Sequence, residues 1–136
     1  MVLVDTNVLV DVLEDDPEWA DGSIAQSRAQ SKVRRLAVNP IIYAEPSLTL
    51  STVEALDQAL DGLGMAMVEV PRAALFLAGK AFVRYRRRGG KKNSVAADFF
   101  IGAHAAVSGL SVLTGDPRRC AAYFSGVTLI APDRPD

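Results

Sequence analysis

Short apolar runs alternate along this chain with longer stretches whose apolar positions recur at a helical period. Val2-Leu3-Val4 is apolar and β-branched-rich, and Asp5-Thr6-Asn7 stops it, which predicts a short buried strand. Val8 to Leu13 reads as a short helix. Glu14 to Pro17 is an acidic break. Glu18 to about Leu36 reads as a helix polar on one side, with Lys32, Arg34 and Arg35 at the end where cations suit the helix dipole. Leu36-Ala37-Val38 predicts a second strand. Asn39-Pro40 is a helix start, with asparagine as cap and proline in the first turn, and the helix over 41–48 carries Glu45. Ser51-Thr52-Val53-Glu54 has capping-box spacing and opens a helix to Leu60. Residues 66–70 form a third strand. Pro71 opens a helix to about Arg88, which Gly89-Gly90 stops. A helix entered at Ser94 or Ala96 covers 98–108 and ends at Gly109. Ser111 to Thr114 is a strand, 118–123 a short helix after the Gly115-Asp116-Pro117 turn, and 127–130 a last strand.

Strands alternating with helices define an α/β protein, a three-layer sandwich whose central, mainly parallel sheet is flanked by helices. The 136 residues suit one domain over 1–136, without repeat or linker. Hydrophobic residues at 49% and charged residues at 23% are the balance of a soluble globular protein. The single cysteine, Cys120, excludes an intrachain disulfide and fits a reducing compartment. The start shows no targeting leader and no stretch is long and apolar enough to span a bilayer, so the expectation is a cytoplasmic protein with no membrane partner. The net charge of −1 neither advertises nor excludes a polyanion, because clustering matters more than the sum.

The acids change the picture. In a parallel α/β sheet, ligands bind beyond the carboxyl ends of the strands. Asp5 follows the first strand and Asp116 lies just past the 111–114 strand, so both belong to one edge. Asp98 is in the first turn of the helix feeding that strand. On spacing alone, an antiparallel helix puts Asp98 at the opposite end unless 89–95 re-routes the chain. Each aspartate also has a plain structural reading as a helix cap or dipole partner, and Glu45 alone reads as a solvated helix residue. Clustered carboxylates repel unless a cation neutralises them. An all-oxygen set without cysteine or a suitable histidine selects magnesium or manganese over zinc.

Four segments in order carry a resemblance. Val2-Leu3-Val4-Asp5-Thr6-Asn7, Asn39-Pro40-Ile41-Ile42-Tyr43-Ala44-Glu45, Asp98-Phe99-Phe100-Ile101-Gly102-Ala103-His104-Ala105 and Thr114-Gly115-Asp116-Pro117 resemble the four motifs of the PIN-domain superfamily. Within it, the chain is similar to the VapC-like ribonuclease toxins of type II toxin–antitoxin modules. The third motif is the distinctive one, and the likeness runs from about residue 2 to 132. It implies a metal-dependent endoribonuclease in which Asp5, Glu45, Asp98 and Asp116 are catalytic acids. Asp5, Asp98 and Asp116 would hold Mg2+ or Mn2+, with Asp5 and Asp98 as direct ligands. Thr6, Asn7 and Thr114 would orient those carboxylates. A small antitoxin and a homodimer are the partners it implies, and RNA the substrate. Three positions depart from the family pattern: Ala96-Ala97 replaces a usual Leu-Pro, Gly115 a frequent arginine, and Pro46 follows Glu45 inside a helical stretch.

Arg87, Arg88, Lys91 and Lys92 belong to the one dense basic patch, which runs from Arg84 to Lys92 around Tyr85. It reads as an RNA-binding rim, or equally as a basic helix end. His104 lies six residues after Asp98, about 120° off its face, and reads as a helix-packing or surface histidine, not a catalytic one. Cys120 reads as a small buried or half-buried residue, and Trp19 and Phe76 as packing residues. Two other functions are open. One is a PIN domain that binds RNA without cutting it. The other is phosphotransfer through Asp5 as nucleophile, which calls for a second aspartate where Asn7 stands.

Overall fold

The computed structural model describes residues 1–13, 35–48, 50–91 and 96–131. Five strands form one sheet: β1 (Val2–Val4), β2 (Leu36–Val38), β3 (Met65–Met67), β4 (Ser111–Leu113) and β5 (Leu129–Ile130). Their spatial order is β3-β2-β1-β4-β5 and every pairing is parallel. Val2 stands opposite Leu36 on one side and Ser111 on the other. A parallel strand covered on both faces needs no polar alternation. Every residue of β1, β2 and β4 is accordingly buried, which is why these strands read as unbroken apolar runs.

The helices among the described residues are α1 (Thr6–Leu13), α2 (Pro40–Ala44), α3 (Val53–Gly62), α4 (Arg72–Arg87), α5 (Ala96–Ser108) and α6 (Arg118–Tyr123). The predicted helix over 18–36 lies outside the described residues, except that Arg35 is not helical and Leu36 belongs to β2. Several boundaries move. α1 starts two residues before the predicted Val8, because Asp5 turns the chain directly into it. The α3 cap is Thr52, whose hydroxyl accepts from the Ala55 N–H at 3.1 Å, rather than Ser51 of the expected box. β3 is Met65–Met67, not 66–70. After Ala44 the backbone tightens into a 3-10 turn, Glu45–Leu48, because Pro46 cannot continue an α-helix.

The core has two parts. One lies around the sheet, with Val2, Leu3, Val4, Leu9, Ile42, Ile101 and Leu113 all essentially inaccessible. The other joins α4 to α5. Ala74, Ala78 and Ala81, one helical face by spacing, pack with Phe99, Ala103 and Phe124. Gly102 in α5 has no room for a side chain, since a Cβ there would lie 2.4 Å from the Phe124 ring. Gly109, at φ +66°, ends α5 and returns the chain to β4. Phe76, expected to pack, is instead 69% exposed on α4.

Candidate active site

The sheet starts at its middle strand, runs outward to β3, then returns across β1 to β4. The switch point therefore lies between β1 and β4, where a cleft opens at the carboxyl edge. Asp5 leaves β1 at this point. Its N–H donates to Leu113 O at 2.8 Å, so the residue is pinned to the end of β4. Its Oδ1 accepts from the Thr6 N–H and its Oδ2 from the Thr114 hydroxyl, both at 2.7 Å. Thr114 Oγ1 in turn accepts from the Asp116 N–H at 3.2 Å, and Asn7 Oδ1 from the Gly115 N–H at 3.1 Å. Thr6 supports Asp5 through its backbone, Thr114 through its side chain, and Asn7 holds the loop between Thr114 and Asp116.

Asp5, Thr6, Glu45 and Asp98 face one cavity of about 370 Å³. Asp11, an acid the sequence pattern does not single out, lines it too. A second, narrow cavity of about 20 Å³ is bounded by Asp5, Asp98, Thr114, Asp116, Arg119 and Cys120. Asp5 and Asp98 thus belong to both, with Glu45 on one side and Asp116 on the other. Asp98 reaches the site for a simple reason: a helix antiparallel to the strand it feeds begins at that strand's carboxyl edge. Asp98 therefore lies at the carboxyl edge beside Asp5, not at the opposite end that spacing alone predicts.

Burial pushes the Asp5 carboxyl up to about 6; the Thr114 hydrogen bond opposes this, while the charge of Asp98 and, more weakly, Glu45 adds to it. Two of the other acids, Asp98 and Asp116, are paired with arginines. Asp98 Oδ2 accepts from Arg119 Nη1 at 2.6 Å, and Asp116 Oδ1 from Arg118 Nε at 3.1 Å. The hydrogen bond from Arg118 holds Asp116 below the ordinary carboxylate range. Glu45 is exposed at the start of the 3-10 turn. Among the described residues, no three histidine, cysteine or acidic side chains are gathered into a ready metal cage.

The donor set nonetheless suits a hard cation. Its ligating atoms are carboxylate oxygens. The one thiol nearby, Cys120, is pushed up to about 11 by burial and by Asp5 and Asp98, so it is a poor ligand. A cation would relieve the strain that lifts Asp5. Next to Asp5, Thr6 Oγ1 is buried without a hydrogen-bond partner among the described residues, an orphaned oxygen beside the carboxylates. His104 takes no part. It is buried, and its Nδ1 accepts from Asn39 Nδ2 at 3.1 Å, since Asn39 Oδ1 is committed to the Ile42 N–H at 2.9 Å.

Of the basic residues expected at an RNA rim, Arg87, Arg88 and Lys91 are exposed at and beyond the end of α4, and Lys92 lies outside the described residues. Sequence reasoning missed Arg119. Its partner is 21 residues away in α5 and nothing local signals the pairing.

A parallel α/β sheet with a half-buried aspartate at its switch point and further acids around it is an acid-centred α/β domain. The PIN domain family model matches residues 2–124, and the chain belongs to that family. No curated protein matches it. Among solved structures it is similar to VapBC2 from Rickettsia felis bound to a promoter DNA fragment, at 17% identity and TM-score 0.73, over 98% of this chain and 100% of that one. It is also similar to DNA-bound VapBC from Salmonella typhimurium (18%, 0.68, 96% of each chain). FitAcB from Neisseria gonorrhoeae is a third (21%, 0.65, 96% of each). At these identities the likeness is one of fold.

Proposed function

We propose that this PIN-domain protein is a Mg2+- or Mn2+-dependent endoribonuclease, the toxin half of a VapBC-type pair neutralised by a small antitoxin. The observation that carries the reading is Asp5, half-buried at the switch point, where desolvation and neighbouring acids lift it to about 6. A carboxylate held in that way is suited to a cation and poorly suited to a merely structural role. The fold shared with structures of VapBC complexes supports the antitoxin partner. Leu75, Phe76 and Val83, exposed along α4, support a homodimer. Among the described residues no helix is long and apolar enough to cross a membrane, and an RNA substrate favours the cytoplasm.

In this reading Asp5 and Asp98 hold the cation directly, while Glu45 and Asp116 act from its two sides, directly or through water. A bound Mg2+ or Mn2+ supplies an activated water and neutralises charge developing on the phosphate. Thr114 and the Thr6 N–H fix the direction of the Asp5 oxygens, and Asn7 keeps the Thr114–Asp116 loop against them. Arg119 sits where it can leave Asp98 for a phosphate, partly replacing the arginine that Gly115 lacks. RNA with a non-cleaving PIN domain is the competing reading, and the presence of all four acids around the cleft disfavours it.

The test is cleavage of a mixed-sequence RNA with Mn2+, with and without chelator. Activity that survives chelation refutes the reading. A further expectation concerns Arg119→Gln. The arginine competes with a cation for Asp98, so its removal should tighten Mn2+ binding by roughly two- to fivefold in a thermal-shift titration, the scale of a partly exposed ion pair. Cleavage should fall in the same variant. Weaker Mn2+ binding would show that Arg119 supports the ion site and does not compete with it.

A further inference from the structure

Beside the acids, α4 and α6 build an open notch of about 390 Å³ lined by Tyr85, Tyr123, Arg118, Arg119 and Asp116. Arg84 and Arg88 stand over the Tyr123 ring at 5.7 and 5.5 Å, and Arg119 over the Tyr85 ring at 5.9 Å. Phe99 holds both phenols from beneath, with ring centres 5.0 Å from Tyr123 and 5.6 Å from Tyr85. The notch shares Asp116 and Arg119 with the narrow cavity that reaches Asp5 and Asp98.

We propose that this notch is a subsite for one unpaired nucleotide of the RNA, next in the strand to the phosphodiester that is cut; the proposal rests on the ribonuclease reading. The chemistry is specific to such a ligand. Two rings held by a buried phenylalanine form a rigid platform. Four arginines offer planar surfaces for a base and charge for its phosphates. Two of them, Arg118 and Arg119, are paired with Asp116 and Asp98. For Arg84 and Arg88 the described residues record no acidic partner, so the notch carries surplus positive charge. The plainer account is a surface staple, arginines of α4 stacked on a tyrosine of α6. A staple explains Arg84 and Arg88. It does not explain the open notch beside the two tyrosines, whose rings meet edge to face at 6.5 Å, or why its Asp116 and Arg119 also bound the cavity that reaches Asp5 and Asp98.

Bases in a duplex are already stacked on one another and cannot enter, so the site selects single strands with little regard to base identity. It also shifts the expected RNA contacts. Of Arg87, Arg88 and Lys91, Arg88 is the one that stands over Tyr123; the other arginines are Arg84 of α4 and Arg118 and Arg119 of α6.

The test measures binding of fluorescein-labelled heptauridylate to protein carrying Asp5→Asn, which prevents cleavage, by anisotropy across a salt series. Added Tyr123→Leu should weaken binding by roughly tenfold, the scale of one lost stacking partner. Tyr123→Phe should keep most of it. Arg88→Ala, at an exposed position that the core does not need, should weaken binding and flatten the salt dependence by about 0.7 of a logarithmic unit. Lys80→Ala, further along α4, should bind like the parent. If the parent binds and Tyr123→Leu and Arg88→Ala bind equally well, the subsite is wrong, the notch belongs to a protein partner, and the nuclease reading stands. Should Tyr123→Leu fail to fold, Arg88→Ala alone decides. Equal affinity for a duplex of the same length also overturns the subsite. If the parent neither binds nor cuts any RNA, both readings fall together.

Discussion

Asp5→Asn is expected to lower Mn2+-dependent RNA cleavage by roughly three orders of magnitude, with Asp98→Asn close behind. Both residues line both cavities, so on the proposed reading losing either charge removes a ligand shared by the whole centre. Glu45→Gln and Asp116→Asn should lose less, because each touches only one side of the site and each is exposed. Initial rates with a fixed RNA at saturating Mn2+ separate these outcomes. Full activity in Asp5→Asn would remove the acid centre from the mechanism.

The same substitution should stabilise the metal-free protein. The Asp5 carboxyl is raised from 3.8 to about 6 in the fold. Between these values the native state binds the proton more tightly than the unfolded chain. Stability therefore falls as pH rises from about 4 to 6 and stays reduced above 6. Asp5→Asn removes that charge while its amide oxygen still accepts from the Thr6 N–H. At pH 7 the gain is at most about 3 kcal/mol, the free-energy equivalent of the shift. Added Mn2+ should raise the melting temperature of the parent and leave that of Asp5→Asn unmoved, because only the parent has a full ligand set. The order of the two melting temperatures then reverses with metal. An apo variant less stable than the parent at pH 7 would show that Asp5 chiefly holds the β1–β4 junction together.

How much of this was legible depended on whether the cause was local. β1 and β4 were readable because double-sided burial leaves strands uniformly apolar, and Asp5 and Asp116 followed from their ends. The Asn39-Pro40 start was readable because a cap acts within three residues. Glu45 was placed correctly on its segment, but Pro46 changed that segment from an α-helix to a 3-10 turn. Asp98 needed handedness and direction, which periodicity does not carry: spacing placed it at the wrong edge, and only the family resemblance brought it to the site. Arg119 and the Tyr85–Tyr123 notch were not legible, since they join α4, α5 and α6 through contacts that no sequence spacing encodes.

His104 shows the same limit, and it supports the second large effect. Its partner Asn39 is 65 residues away, caps α2 and so sets the direction of the segment that presents Glu45. Asn39→Ala removes the cap, worth about 1 kcal/mol. It also leaves a buried imidazole nitrogen unpaired, which costs roughly 1–3 kcal/mol more. The combined loss, roughly 2–4 kcal/mol, should appear in chemical denaturation, and cleavage should weaken as Glu45 loses its placement. Asn39→Asp separates the two roles. It keeps the cap but offers His104 an acceptor in place of a donor, so the imidazole must carry its proton on Nδ1 or become charged. In the parent, burial holds the His104 pKa below 6.5. Its contribution to stability is therefore complete above pH 6.5 and is lost as pH falls below it, while Asp5 acts in the opposite sense between 6 and 4. Measuring both proteins in the Asp5→Asn background isolates the histidine. There, stability should fall on acidification from pH 7 to 5, and Asn39→Asp should reduce or invert that fall. Identical pH profiles would mean that the Asn39–His104 bond contributes nothing to the fold.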